Sequence, residues 1–261
     1  MLTTASSDFS HAEGWKSTAW STGSHAEGRF TSASGMYSHA EGDYSRASGD
    51  YSHAEGSSTA TALYAHSEGR LTVASGLNSH AEGNETLASG NDSHAEGYQT
   101  TASVLYAHAE GYGSTVGGDG SKGAGGHAEG YFTQVTENYG HAEGSQTVAD
   151  GTGSHAEGSS SLASGIAAHA EGFATLASGF SAHAEGSLTT GSGDYSHAEG
   201  MSTKAIGQGS HAEGMLTRAS GNNAHAEGLS TEALGYVSQS RSFSVGLVSG
   251  SICGITFCVG I

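Results

Sequence analysis

Every histidine in the chain belongs to one recurring word, His-Ala-Glu-Gly, and the spacing of that word limits the possible folds more than any other feature. The pairs it contributes are His11 and Glu13, His25 and Glu27, His39 and Glu41, His53 and Glu55, His66 and Glu68, His80 and Glu82, His94 and Glu96, His108 and Glu110, His127 and Glu129, His141 and Glu143, His155 and Glu157, His169 and Glu171, His183 and Glu185, His197 and Glu199, His211 and Glu213, and His225 and Glu227. Only His66 departs from the wording, with Ser67 in the alanine place. Nearly all intervals between successive histidines are equal, as from His25 to His39; the step from His53 to His66 is one position shorter, and that from His108 to His127 is five positions longer. A fixed period this short, fourteen positions, predicts a solenoid whose coils stack on one another. A looser word, Thr/Ser-x-Ala-Ser-Gly, lies half a period away, at Thr31–Gly35, Thr86–Gly90 and Ser161–Gly165, so each coil has two halves.

Strand alternation assigns the faces. In Ser38-His39-Ala40-Glu41-Gly42 the small residues share one face, and His39 and Glu41 share the other. In Thr31-Ser32-Ala33-Ser34-Gly35, Thr31, Ala33 and Gly35 form the matching small set. So short a coil has room between its two strands only for Ser, Thr, Ala and Gly, so the small sets point inward. Glycine is expected to close each half, where the chain turns. A helical reading fails, because Gly in every half-coil costs about 1 kcal/mol each relative to Ala and no apolar stripe compensates. Val104 and Glu137 stand where this register expects inward glycines, and the five extra residues within Tyr112–Gly126 predict an extruded loop.

Past the last His-Glu pair, Ser242-Phe243-Ser244-Val245-Gly246 and Thr256-Phe257-Cys258-Val259-Gly260 repeat at the same period with apolar outward positions. The reading is therefore sixteen His-Glu coils over residues 1–235, with the insertion at about 112–126, followed over residues 236–261 by two apolar coils of the same roll. Phe243, Val245, Phe257 and Val259 are the candidate apolar plug. Cys253 and Cys258 face inward on this register, as buried thiols or as a disulfide that locks the terminal coil.

These words resemble the head repeats of YadA-like trimeric autotransporter adhesins, whose coils alternate a Ser-Val-Ala-Ile-Gly motif with a looser Ala-x-Ala-x-Gly half. The resemblance runs over about Thr3 to Gly260. It implies a left-handed parallel β-roll, homotrimeric around a threefold axis, with the outward places of the first motif facing that axis. Phe243, Val245, Phe257 and Val259 occupy those places in the last coils, and His39, Glu41 and their counterparts occupy them elsewhere. A hydrophobic trimer core thereby becomes a polar lattice.

Eight Lys plus Arg against 26 Asp plus Glu give a net charge of −18. Such a surface repels phosphate backbones and anionic lipid, which argues against nucleic-acid and membrane partners. Nothing approaches the ~20 apolar residues of a membrane span, and no secretory signal peptide is expected from Met1 to Gly14. His-x-Glu offers two zinc ligands per coil. Catalysis requires one organised site rather than sixteen equal ones, so no enzyme activity and no cofactor are expected, with divalent metal on the columns as the lesser alternative to a structural ladder. A bare glutamate column repels itself, and imidazole is the available donor. If all sixteen histidines were charged, −18 would become −2 by addition. That pairing predicts raised histidine pKa values and greatest stability in mildly acidic solution. Tyr37, Tyr44, Tyr51, Tyr64, Tyr106, Tyr195 and Tyr236 fall mainly at turns and are expected to cover coil edges rather than stack on sugars.

Taken together, these observations point to an extracellular structural fibre or fibre segment on a cell, spore or phage surface. The expected partner is the chain itself, as a homotrimer that stacks head-to-tail because no cap is written at either end. The alternative is an adhesin or phage receptor-binding head that recognises a host surface.

Overall fold

The computed structural model describes residues 3–117, 121–243 and 255–259. The chain divides into two units, residues 1–139 and 140–261. Each is a parallel β-solenoid with the coil length the sequence predicts, and no helix occurs among the described residues. The two sequence words become two strands. A long strand opens on each histidine and runs five residues, as in His39–Asp43, and a short one covers two, as in Arg46–Ala47. Identical residues stack directly: His80 on His94, Ala81 on Ala95 and Glu82 on Glu96 in the first unit, His183 on His197 and Glu185 on Glu199 in the second.

The interior is as thin as the composition requires. Ala40 and Ala47 are fully buried, as are their counterparts in nearly every coil, and Ser38, Thr31 and Ser45 line the same core. Val116 and Val135, each in an alanine place, are the largest of the fully buried side chains. So little apolar surface offsets only a small part of the chain's ordering entropy. Coil-to-coil hydrogen bonds accompany it at every level: His39 N–H donates to Ser52 O at 2.9 Å and Ser34 N–H to Ala47 O at 2.8 Å.

The corners differ from the expectation in an instructive way. Each coil carries left-handed residues that are mostly not glycine: Tyr37, Tyr51 and Tyr64 lie at φ 54, 56 and 57°, and Phe30 and Tyr44 at 57 and 65°. A left-handed residue reverses its peptide, so its N–H points back to the preceding coil: Tyr51 donates to Met36 O and Tyr44 to Arg29 O, both at 2.8 Å. The glycines of the two words serve a different need. Gly28 has φ 115°, and a Cβ there would lie 2.0 Å from Gly42 O; Gly35 has no positive φ, yet its Cβ would lie 1.9 Å from Gly49 O. The Gly28 column therefore needs glycine both for its positive φ, as expected where the half-coil closes, and for close approach, whereas the Gly35 column needs it for close approach of stacked backbones alone.

Irregular coils are absorbed at corners. The short coil after His53 lacks the left-handed residue for which Leu71 is the counterpart one coil later, and its strand runs straight from His53 to Ala60. The long interval still stacks His108 on His127 and Val116 on Val135, which confines the extra residues to 117–126. Glu137 does not point into the core as the register suggested. It is partly exposed and pairs with Lys122 of the insertion, while Asn138 accepts hydrogen bonds from the N–H groups of Gly123 and Ala124.

The end of the chain corrects the sequence reading. The His-Glu register runs on uninterrupted: Gln239, Ser240 and Arg241 stack on His225, Ala226 and Glu227, one unaltered period on. Gln239 and Arg241 therefore take the outward places assigned to Phe243 and Val245. Phe243 ends that strand opposite Ile255. The strand Ile255–Val259 then runs antiparallel to Gln239–Phe243, with Phe257 opposite Arg241, Cys258 opposite Ser240 and Val259 opposite Gln239, so it is not a further parallel coil. It covers the strand edge that head-to-tail stacking was expected to use. Val245 and Cys253, and the side chains of Phe243, Phe257, Cys258 and Val259, lie outside the described residues, and with them the plug and the disulfide.

Candidate functional site

The long strands place histidine and glutamate two residues apart on one face, so each coil presents a single imidazole and a single carboxylate side by side. Nε2 and Oε2 lie 3.6 Å apart in His39–Glu41, 3.5 Å in His94–Glu96 and 3.8 Å in His155–Glu157. All sixteen expected pairs form within their own strand: nine in the first unit, from His11–Glu13 to His127–Glu129, and seven in the second, from His141–Glu143 to His225–Glu227. The separation is longer than a hydrogen bond and becomes an ion pair only when the imidazole is protonated.

Stacking builds the pairs into columns. Ring centroids of successive histidines are 4.7 Å apart for His25 and His39, 4.8 Å for His53 and His66, and 4.8 Å for His211 and His225. Each ring is covered by its neighbours, which leaves Nε2 of His39, His80 and His183 buried and without a hydrogen bond, although the side chains as wholes remain about one-third exposed (His183 33%). Burial lowers the pKa of His39, His80, His155, His183 and His211; neighbouring imidazoles lower it further, and the glutamates oppose this with smaller effect. The expected upward shift is thus reversed at these five positions, because burial in the stack, with two flanking imidazoles adding to it, outweighs the carboxylate beside each ring. The column ends on a cation: Arg241, stacked above Glu227, places Nε 3.0 Å from Oε2 of Glu227.

Other columns were not anticipated. Asp50, Asn91, Asp194 and Asn222 each stand three residues before a histidine and accept the N–H of the equivalent residue one coil earlier, as Asp50 does from Met36 at 2.8 Å. The signal was present as Asp or Asn recurring in one place of the period. The corner tyrosines also form stacks, Tyr37–Tyr51–Tyr64 at 5.4 and 5.2 Å and Tyr98–Tyr112–Tyr131 at 4.9 and 5.3 Å. Inner rings such as Tyr51 and Tyr112 spend both faces on their neighbours, which removes the surface a sugar would stack on. Arg29 binds Asp43 of the next coil through Nε at 2.8 Å and lies over the rings of Phe30 and Tyr44. No protein-family model matches the chain, and no curated protein matches it.

Proposed function

We propose that the chain is a structural protein, a left-handed β-roll that trimerises about a threefold axis and serves as a rigid fibre segment outside the cell, on a cell, spore or phage surface. The observation that carries this reading is the contrast between columns: His and Glu repeat without change on one outward face, while the outward place of the short strand varies through Ser32, Arg46, Leu87, Lys204 and Arg218. Variation suits solvent; strict repetition suits a partner with the same period, and another copy of the ladder has it. Sixteen equivalent pairs favour scaffolding over catalysis, which needs one distinct constellation. Because Ile255–Val259 covers the last long strand, discrete segments fit better than unlimited axial filaments.

Light scattering on the purified chain tests the assembly. A mass three times 26.0 kDa is expected, and a folded monomer at every concentration would overturn it. The exposed corner tyrosines favour a second reading, the head of an adhesin or receptor-binding fibre. Their edges and hydroxyls form a ready contact surface on one corner. Under that reading, replacing Tyr37, Tyr51 and Tyr64 with Ser abolishes adhesion to a host surface without changing the oligomer mass.

A further inference from the structure

We propose that the His-Glu ladder of each unit is an array of binding sites for a divalent first-row transition ion of the zinc class, filled on alternate coils. Imidazole nitrogen with carboxylate oxygen is a donor set that suits zinc, nickel and copper and not calcium or magnesium. Bonds of ~2.0–2.1 Å at a near-tetrahedral angle put two such donors about 3.3–3.4 Å apart. Nε2 and Oε2 stand at 3.6 Å in His80–Glu82 and His183–Glu185, so a few tenths of an ångström of side-chain movement completes the bite. Nε2 of His80 and His183 is buried and makes no hydrogen bond, so no protein group competes for it. Stacking at 4.8 Å between His183 and His197 holds the rings in place before any ion arrives.

No three ligating side chains converge among the described residues, so each coil supplies two donors. Water, or the same pair on a neighbouring chain, supplies the rest. Ions on adjacent coils would be separated by about the strand spacing of ~4.8 Å, well inside a Debye length, and would repel strongly. Each coil carries one carboxylate in this ladder, so one divalent ion per two coils leaves the column neutral. The inference needs only one chain's pair and stands apart from the trimer reading; a monomeric mass would sink the latter and leave this test unchanged.

The full chain, dialysed at neutral pH against zinc chloride or calcium chloride, gives the bound ions per chain. Zinc is expected to saturate near one ion per two pairs, about eight per chain, with calcium no higher than in buffer alone. Changing the six glutamates from Glu143 to Glu213 to Gln, with the fold verified by circular dichroism, should remove about a third of the zinc, because six of sixteen pairs are lost. Zinc uptake equal to that of calcium, or undiminished in the six-fold variant, would overturn the site; one ion per pair would overturn alternate filling. Cobalt(II) reports on the unaltered chain. Intense visible bands of a four-coordinate ion are expected, and the weak spectrum of the hydrated ion would count against the proposal.

Discussion

At the residue scale, identical neighbours in a stack do not all have the same needs. Buried Thr86 and Thr189 have hydroxyls without hydrogen-bond partners, whereas Thr72 and Thr133 share theirs with Ser67 and Ser114 at 2.9 Å. An unsatisfied buried hydroxyl costs about 1–3 kcal/mol, and valine has nearly the same shape. Thr86→Val and Thr189→Val are therefore expected to raise the melting temperature, and Thr72→Val and Thr133→Val to lower it. Glycine columns allow no such freedom. Gly35→Ala would drive a Cβ into Gly49 O, and since backbone cannot step aside in a continuous stack, a loss of several kcal/mol is expected, on the order of the larger point-mutant effects. Asn78→Gly, at a left-handed corner with φ 53°, should by contrast change stability measured by chemical denaturation by less than about 1 kcal/mol, because Asn already tolerates that conformation.

At the scale of the element, a coil is held by its strands and by side chains that reach across corners. Asp50 and Asn138 are such clamps, and Asn138 secures two amides of the inserted loop. Removing a partly exposed clamp leaves its donor to water, so Asp50→Ala and Asn138→Ala should cost roughly 0.5–1.5 kcal/mol or less. The sharper readout is local: amide exchange at Met36 in the first variant, and at Gly123 and Ala124 in the second, should accelerate while strand amides two coils away stay unchanged. Exchange slowed only by global opening would contradict the clamp. The insertion also explains a pair of departures that looked like defects. In the glycine column on either side of it, Val104 packs so close to Gly117 that a Cβ at Gly117 would lie 2.6 Å from the Val104 methyls, and Glu137 pairs with Lys122.

At the scale of the whole molecule, the stacked histidines set the response to acid. His39, His80, His155, His183 and His211 have pKa values below 6.5 in the fold, while the unfolded chain takes up protons near ~6.5. Between those values the unfolded state binds more protons, so stability rises with pH across the window. The contribution is complete above the unfolded value and is lost as pH falls from there through the folded values. The melting temperature is expected to drop between pH 7 and pH 5, with a broad titration of these five histidines by NMR because each ring feels the charge of its neighbours. A maximum in mildly acidic solution, as simple His-Glu pairing suggested, would show that carboxylates outweigh burial and stacking.

Sequence by itself determined the solenoid, the length of its coil, the inward Ala, Ser and Thr columns and the outward pairing of His39 with Glu41, because each follows from one period combined with strand alternation. Tertiary structure decided the rest. Left-handed corners filled by Tyr37 or Asp92 cannot be read from a chain that places glycine elsewhere; they arise because a corner N–H must reach the preceding coil. Phe243 and Phe257 share the same spacing as the repeat, yet Gln239 and Arg241 keep the register and the final strand turns back. Spacing records which residues are equivalent, whereas strand direction depends on which edge is free when the chain returns. The sign of the histidine shifts belongs to the same class. It depends on what lies above and below a ring, and in a solenoid those neighbours are a full coil away in sequence.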